Sequence, residues 1–332
     1  MRKVKWLLVG AGDIATRRAG PALVDAKNSE LIAICDLDQE RAAKLADQLK
    51  VKTVYADYAQ ALAESGADAV YLATPLDKHV GMSLQALDAG KHFLVEKPLG
   101  LNGRECLRLF AAARKSDRIT SCSNYRRLSE QYKKTEAILK NQEIGTLIGG
   151  WMIYSAGYYD PNNSRSTRAA GGYPIKEYGF YIIDITLNLL GMRASVVAQA
   201  SILKPGRDIE DIASIIMRFP DGKLFTIILN HNSPGIRHEL EIFGSEGCIY
   251  WPEWPPHGNG PIIKITKEGT MKRDAQTNPN YHFPMIEDFV GAVLEGRQPV
   301  CTLESAVKTE IITDAIYRSI ESGKLEPVIW KG

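Results

Sequence analysis

From Val4 to Ser123 short apolar runs alternate with stretches of helical periodicity, and no other feature limits the possible folds as severely. Apolar runs bounded by Gly, Pro, Asp or Asn suit strands buried on both faces, as a parallel sheet requires. They fall at Val4–Val9, Leu31–Cys35, Val51–Tyr55, Ala69–Ala73, Phe93–Val95 and Ile119–Ser123. Between them lie helical patterns over 39–49, 58–65, 78–89 and 102–116; in the first, Ala42, Leu45, Ala46 and Leu49 share one face. Strand and helix in alternation, joined by short linkers, predict a doubly wound α/β domain over 1–123.

Two breaks in this frame carry chemistry. The first strand runs directly into Gly10-Ala11-Gly12-Asp13-Ile14-Ala15, a G-x-G-x-x-A turn ahead of a helix. Glycines there permit a tight turn and let the backbone approach a pyrophosphate at a helix N-terminus. The second strand ends in Asp36, where a carboxylate would accept hydrogen bonds from an adenosine ribose and repel a 2′-phosphate. NAD is therefore expected, with NADP left open by Arg41 close by. The second break is Glu96-Lys97-Pro98. Pro98 cannot donate to a ladder, so the strand stops near Lys97. Ligands in open parallel sheets bind beyond the carboxyl ends of strands, so Lys97 either points at a ligand or closes an ion pair at the strand end.

Gly10-x-Gly12-x-x-Ala15, Asp36, Ala73-Thr74-Pro75 with His79, Glu96-Lys97-Pro98 and Asn124-Tyr125-Arg126-Arg127 together resemble the glucose–fructose oxidoreductase/inositol dehydrogenase (Gfo/Idh/MocA) family. The resemblance implies an N-terminal Rossmann domain binding NAD(P), with Thr74, Pro75, His79, Glu96 and Lys97 at the cofactor. It also implies an α+β C-terminal domain over 124–332, with a large open, mainly antiparallel sheet. That domain would hold a sugar or polyol, with Asn124 and Arg126 in substrate binding, and form a homodimer or homotetramer. The family's second motif, Gly-Gly followed by Asp-x-Gly-x-His-x-x-Asp, is matched by Gly171-Gly172 and Glu177-x-Gly179-x-Tyr181-x-x-Asp184, with Glu and Tyr in place of Asp and His.

Unwinding 175–190 at about 100° per residue puts Glu177, Tyr181, Asp184 and Asn188 on one narrow polar stripe with apolar residues on both sides. A solvated face is wider and carries more charge, so the stripe is expected to line a cleft. Tyr158, Arg165 and Arg168, in an irregular stretch rich in aromatic and amide side chains, suit a hydroxyl-rich ligand or a solvated loop. Long strand patterns follow at 196–203, 209–219, 223–230, 238–243 and 247–250, which suggests one antiparallel sheet. Trp251–Gly260 reads as an insertion-like loop, and two helical faces (Met285 to Val293, Leu303 to Ile311) close the chain, with the option of packing back on the Rossmann domain.

The 332 residues carry 41 Lys and Arg against 39 Asp and Glu, a formal net charge of +2, which gives no nucleic-acid footprint and no reason to expect a membrane surface. No apolar stretch nears the roughly 20 residues of a membrane span. The apolar run after Lys5 is too short for an export signal, so a cytoplasmic protein is expected. Five scattered cysteines suit a reducing compartment, and neither they nor the six histidines show metal-ligand spacing.

Oxidising a carbinol to a carbonyl needs a proton acceptor and a stabiliser for the developing alkoxide. Tyr181 is expected as acid/base, its phenol lowered from about 10 by the Lys97 ammonium. Glu177 is expected to orient the lysine or bind a second hydroxyl. Two alternatives stand beside net hydride transfer. One is tightly bound NAD used for transient oxidation in a sugar lyase or hydrolase. The other is a catalytically silent sugar- or NAD-binding protein.

Overall fold

The computed structural model describes residues 2–156, 167–168, 174–231, 233, 235–254, 260–276 and 278–330. It comprises two compact units. The first is Met1–Tyr125 with Asn278–Val307, the second Arg126–Thr277 with Lys308–Gly332.

In the first unit six parallel strands, β1 (Val4–Val9), β2 (Ser29–Cys35), β3 (Thr53–Tyr55), β4 (Ala69–Leu72), β5 (His92–Val95) and β6 (Thr120–Cys122), lie in the order β3-β2-β1-β4-β5-β6. The order reverses beside β1, the place where ligands bind in such sheets. Crossovers are α1 (Gly20–Asp25), preceded by a π-helical turn at Ala15–Ala19, α2 (Gln39–Leu49), α3 (Tyr58–Glu64), α4 (Leu76–Asp88) and α5 (Gly103–Ala113). β4 is buried throughout and β1 everywhere but Lys5, which explains their continuous apolar runs. Helix starts are set by side chains that accept otherwise orphaned N–H groups. Asp38 accepts from Arg41 at 3.0 Å, Asp57 from Gln60 at 2.7 Å and Asn102 from Glu105 at 3.0 Å.

The second unit opens with α6 (Glu130–Lys140), capped by Ser129, which accepts from the Tyr132 N–H. Its sheet holds β7 (Leu147–Ser155), β8 (Ser195–Ser201), β9 (Ile212–Arg218), β10 (Leu224–Asn230), β11 (Arg237–Gly244), β12 (Gly247–Trp251), β13 (Ile262–Thr266), β14 (Gly269–Arg273) and the short β15 (Glu326–Pro327), ordered β14-β13-β12-β11-β7-β10-β9-β8-β15. The mainly antiparallel sheet expected from the sequence is present, with one parallel pair, β7 and β10, at its centre. Among the described residues a helix, β8 and β9 lie between these two strands in the chain, a long-range arrangement that local patterning cannot reveal. The strands β13 and β14 and the helix α6 were not anticipated.

α7 (Phe180–Leu190) follows a π-helical turn, Ile175–Gly179, that Pro174 introduces. Gly179 brings this turn against β10, since a Cβ there would sit 3.5 Å from Leu229 Cδ1. α8 (Phe283–Glu295) belongs to the first unit, where Phe289 packs on Trp6 of β1 with ring centres 5.1 Å apart. α9 (Leu303–Ser322) begins in the first unit and continues into the second. There Ser319 Oγ accepts the Ala198 N–H at 2.9 Å and so ties the helix to β8.

Candidate active site

The end of β1 is shaped for close approach. Gly10 has φ +93°, and a Cβ on it would lie 2.4 Å from the Ala73 carbonyl oxygen, so only glycine fits. Gly12 differs: a Cβ there would meet nothing within 4 Å. Its open side is the space that a bound group needs. Asp36 reaches back from the end of β2, where Oδ2 accepts the Ala11 N–H at 2.6 Å and Oδ1 the Asp38 N–H at 2.8 Å. The carboxylate thus fixes the glycine loop while keeping acceptor capacity for a further hydroxyl. Asp13 forms an exposed ion pair with Arg17, and Arg41 pairs with Asp38. Ile14 sits half-buried in the first turn of the helix. Thr74 Oγ1 is buried with no hydrogen-bond partner among the described residues, and Pro75 caps α4. A glycine cradle, an acid at the second strand and an unsatisfied hydroxyl are together what a dinucleotide requires.

At the end of β5, Glu96 is enclosed. Its Oε1 accepts from the Tyr71 hydroxyl at 2.6 Å and faces His282 Nε2 at 3.2 Å. Burial alone would raise this carboxyl, but His282, Tyr71 and the Lys97 ammonium outweigh it and hold the group at about 2. Lys97 is half-buried and joined to Pro98 by a cis peptide. His79 is buried with both ring nitrogens on main-chain carbonyls, those of Pro98 and Thr74. Asn124 is buried too, and neither end of its amide has a partner among the described residues.

In the second unit the polar stripe is enclosed: Glu177, Tyr181 and Asp184 are all buried, and Asn188 donates to the Asp184 main-chain carbonyl at 2.7 Å. The Arg126 guanidinium lies between two rings, 3.9 Å from the centre of Trp254 and 4.7 Å from that of Tyr181. A guanidinium against aromatic rings is held by cation–π attraction. Beside this sandwich stands an aromatic group that sequence reasoning missed. Tyr154 stacks on His238 at 4.0 Å and on Tyr178 at 4.6 Å, and Tyr178 meets His231 at 4.8 Å. Burial drives His231 to about 4 despite the Glu177 carboxylate, and burial with the Arg126 charge does the same to His238. Both imidazoles are therefore neutral near pH 7 and suited to hydrogen bonding with hydroxyls. Period-two alternation was the available signal: His238 pairs across the ladder with Tyr154 and shares its face with the buried Leu240 and Ile242.

Arg168 stands away from this group, its N–H on the Asp208 carboxylate and its guanidinium 5.7 Å from the Tyr317 ring. Tyr158, Arg165, Gly171 and Gly172 lie outside the described residues. Trp251 and Trp254, expected on an insertion-like loop, are fully buried; Trp251 ends β12 and donates to Thr135 on α6 at 2.9 Å. No cluster of three or more His, Cys, Asp or Glu arranged for a metal occurs among the described residues.

Residues 4–124 match the sequence profile of an oxidoreductase family with an NAD-binding Rossmann fold, and residues 132–250 match the C-terminal domain of the same family. The chain belongs to the Gfo/Idh/MocA oxidoreductase family. It is an NAD(P)-dependent oxidoreductase, and its first unit carries the NAD-binding Rossmann fold. An uncharacterized oxidoreductase of Rhizobium meliloti is 27% identical, with 99% of this chain and 100% of that one aligned. Myo-inositol 2-dehydrogenase of Thermotoga maritima is 26% identical, over 97% and 98% of the two chains. Aldose-aldose oxidoreductase of Caulobacter crescentus shares the fold with a TM-score of 0.90 at 20% identity, covering 98% of this chain and all of that one.

Proposed function

We propose that this Gfo/Idh/MocA protein moves a hydride between a nicotinamide and a carbinol or carbonyl carbon of a sugar, polyol or related derivative. The observation that carries the substrate class is the enclosed group in the second unit, where Arg126 lies against Trp254 and Tyr181 beside two neutral histidines. Ring faces suit the C–H faces of a sugar, and neutral imidazoles and a guanidinium edge suit its hydroxyls. Relatives named as myo-inositol and xylose dehydrogenases support the same class. When bound, NAD supplies the hydride acceptor. Gly10, Ala11, Gly12, Asp13 and Ile14 take the pyrophosphate and Asp36 the ribose, which favours NAD over NADP. Thr74, Pro75, Glu96 and Lys97 border the nicotinamide.

In oxidation the Tyr181 phenolic oxygen accepts the hydroxyl proton and the Lys97 ammonium holds the developing alkoxide charge; in reduction Tyr181 returns the proton. Glu177 orients the substrate through a second hydroxyl, with Asn124, Arg126 and Asp184 lining the remainder. The outward face of the nine-stranded sheet serves a homodimer or homotetramer, and the free cysteines suit a cytoplasmic setting.

A screen of sugars, polyols and their keto forms, read by reduced-nicotinamide absorbance, tests the assignment. A substrate found there should lose about 100-fold or more in kcat with Tyr181→Phe and with Lys97→Ala, NADH affinity being retained in the former. Full turnover in both variants would remove the roles given to these residues.

A further inference from the structure

We propose that His79 is a permanent imidazolium that positions the ends of β4 and β5 and does not itself touch the cofactor. Its Nδ1 lies 2.8 Å from the Pro98 carbonyl oxygen and its Nε2 2.9 Å from the Thr74 carbonyl oxygen. A carbonyl oxygen only accepts, and a neutral imidazole has one N–H; only the doubly protonated ring donates at both nitrogens. With a neutral ring, one nitrogen lone pair would face a carbonyl lone pair at hydrogen-bond distance inside the protein. His79 is 2% exposed, so water cannot relieve that repulsion.

The two acceptors explain why the charge sits there. Thr74 follows β4 by two residues and Pro98 follows β5 by three, so one ring ties together the carboxyl ends of two neighbouring parallel strands. Those ends carry the Thr74 hydroxyl, which has no partner among the described residues, and also Lys97. The charged groups on the surrounding elements have partners of their own. On α4, Asp77 and Lys78 pair with each other at 2.8 Å on the exposed side. At the end of β5, Glu96 is taken by Tyr71 and His282. On α5, Glu105 accepts the Leu101 N–H. The ring is therefore held by two charge-assisted hydrogen bonds to main-chain oxygen, and no nitrogen remains for a ligand. His79 acts on the cofactor through the geometry of Thr74 and Lys97.

The experiment is ¹⁵N NMR of the apo protein labelled only at histidine, whose six side chains are few enough to resolve. His79→Gln assigns the signal, and substitution of the other five assigns it by elimination if that variant does not fold. At about pH 8, well above the 6.5 or so of a free imidazole, both His79 nitrogens should carry protons and show imidazolium shifts. A single-tautomer pattern, or an ordinary titration near 6.5, overturns the proposal. For the positioning role, NADH fluorescence titration of His79→Gln should show a dissociation constant raised about ten-fold, the size expected for a lost charged hydrogen bond. Unchanged NADH affinity in the folded variant overturns that role. Neither measurement depends on which carbinol is the substrate.

Discussion

At the residue scale, Gly10 and Gly12 of one loop make opposite demands. Gly10→Ala must push a methyl into the Ala73 carbonyl at a backbone angle hostile to side chains, and should cost about 1–3 kcal/mol in urea unfolding. Gly12→Ala meets open space, so its stability should stay within about 0.5 kcal/mol of the parent, while NADH affinity falls because the methyl fills the cradle. Equal stability losses in the two variants would contradict this separation. Glu96 governs the acid limb. Its carboxyl drops from an ordinary 4.5 to about 2 on folding. The stabilisation is therefore complete above about pH 4.5 and disappears as pH falls through about 2. Glu96→Gln should lose on the order of 3 kcal/mol at neutral pH, and its unfolding curves should converge with those of the parent at the acid end. A gap that stayed constant with pH would mean that packing, not charge, makes Glu96 matter.

At the element scale, the segment that carries Glu177 and Tyr181 is held at its start by a buried ion pair. Lys176 on the π-helical turn meets Glu310 on α9, and both side chains are almost fully enclosed. Breaking such a pair leaves a buried charge and costs about 3–5 kcal/mol. Lys176→Met and Glu310→Gln should each be destabilised by about that much. The double variant Lys176→Met/Glu310→Gln should be destabilised by much less than the two together, as denaturant midpoints would reveal. Strict additivity would deny the coupling. The pair was not legible beforehand, because a lysine one position off a polar stripe looks like a solvent-facing residue until the partner helix is known. The stripe itself was legible: three- and four-residue spacing fixes which side chains share a face, whatever lies opposite.

At the scale of the whole molecule, the strands of the nine-stranded sheet alternate between a buried face and a more exposed one among the described residues. Cross-strand neighbours Val197, Ile216, Thr226 and Trp151 form a row across that outward face. Ile216 is 43% exposed, and Leu224 and Ile265 are also well exposed on the same side. If this face joins subunits, Ile216→Asp should convert the oligomer to smaller species in analytical ultracentrifugation while the far-UV spectrum is retained. A parent chain that sediments as a monomer would remove the homo-oligomer proposal. Among the described residues no helix is long and apolar enough to cross a membrane.

Much of the first unit and part of its candidate site could be read from the residues alone. Strands buried on both faces need continuous apolar runs, tight turns at phosphate-sized gaps need glycine, and Pro98 must end a strand. These are local constraints, so they leave local signatures at Gly10, Asp36 and Lys97. The parallel β7–β10 pair, the β13–β14 hairpin and the return of Asn278–Val307 to the first unit are decided by long-range burial, which leaves no short-range pattern. The same holds for function. Tyr181 and Glu177 were marked by helical period, but the Arg126 sandwich, the Tyr154–His238 stack and the two carbonyls on His79 join residues far apart in sequence. Sequence determined which chemical groups the protein possesses and which face each occupies. Only the tertiary structure decided which of them meet, and with that their charge states, because burial and partners are properties of a place and not of a residue.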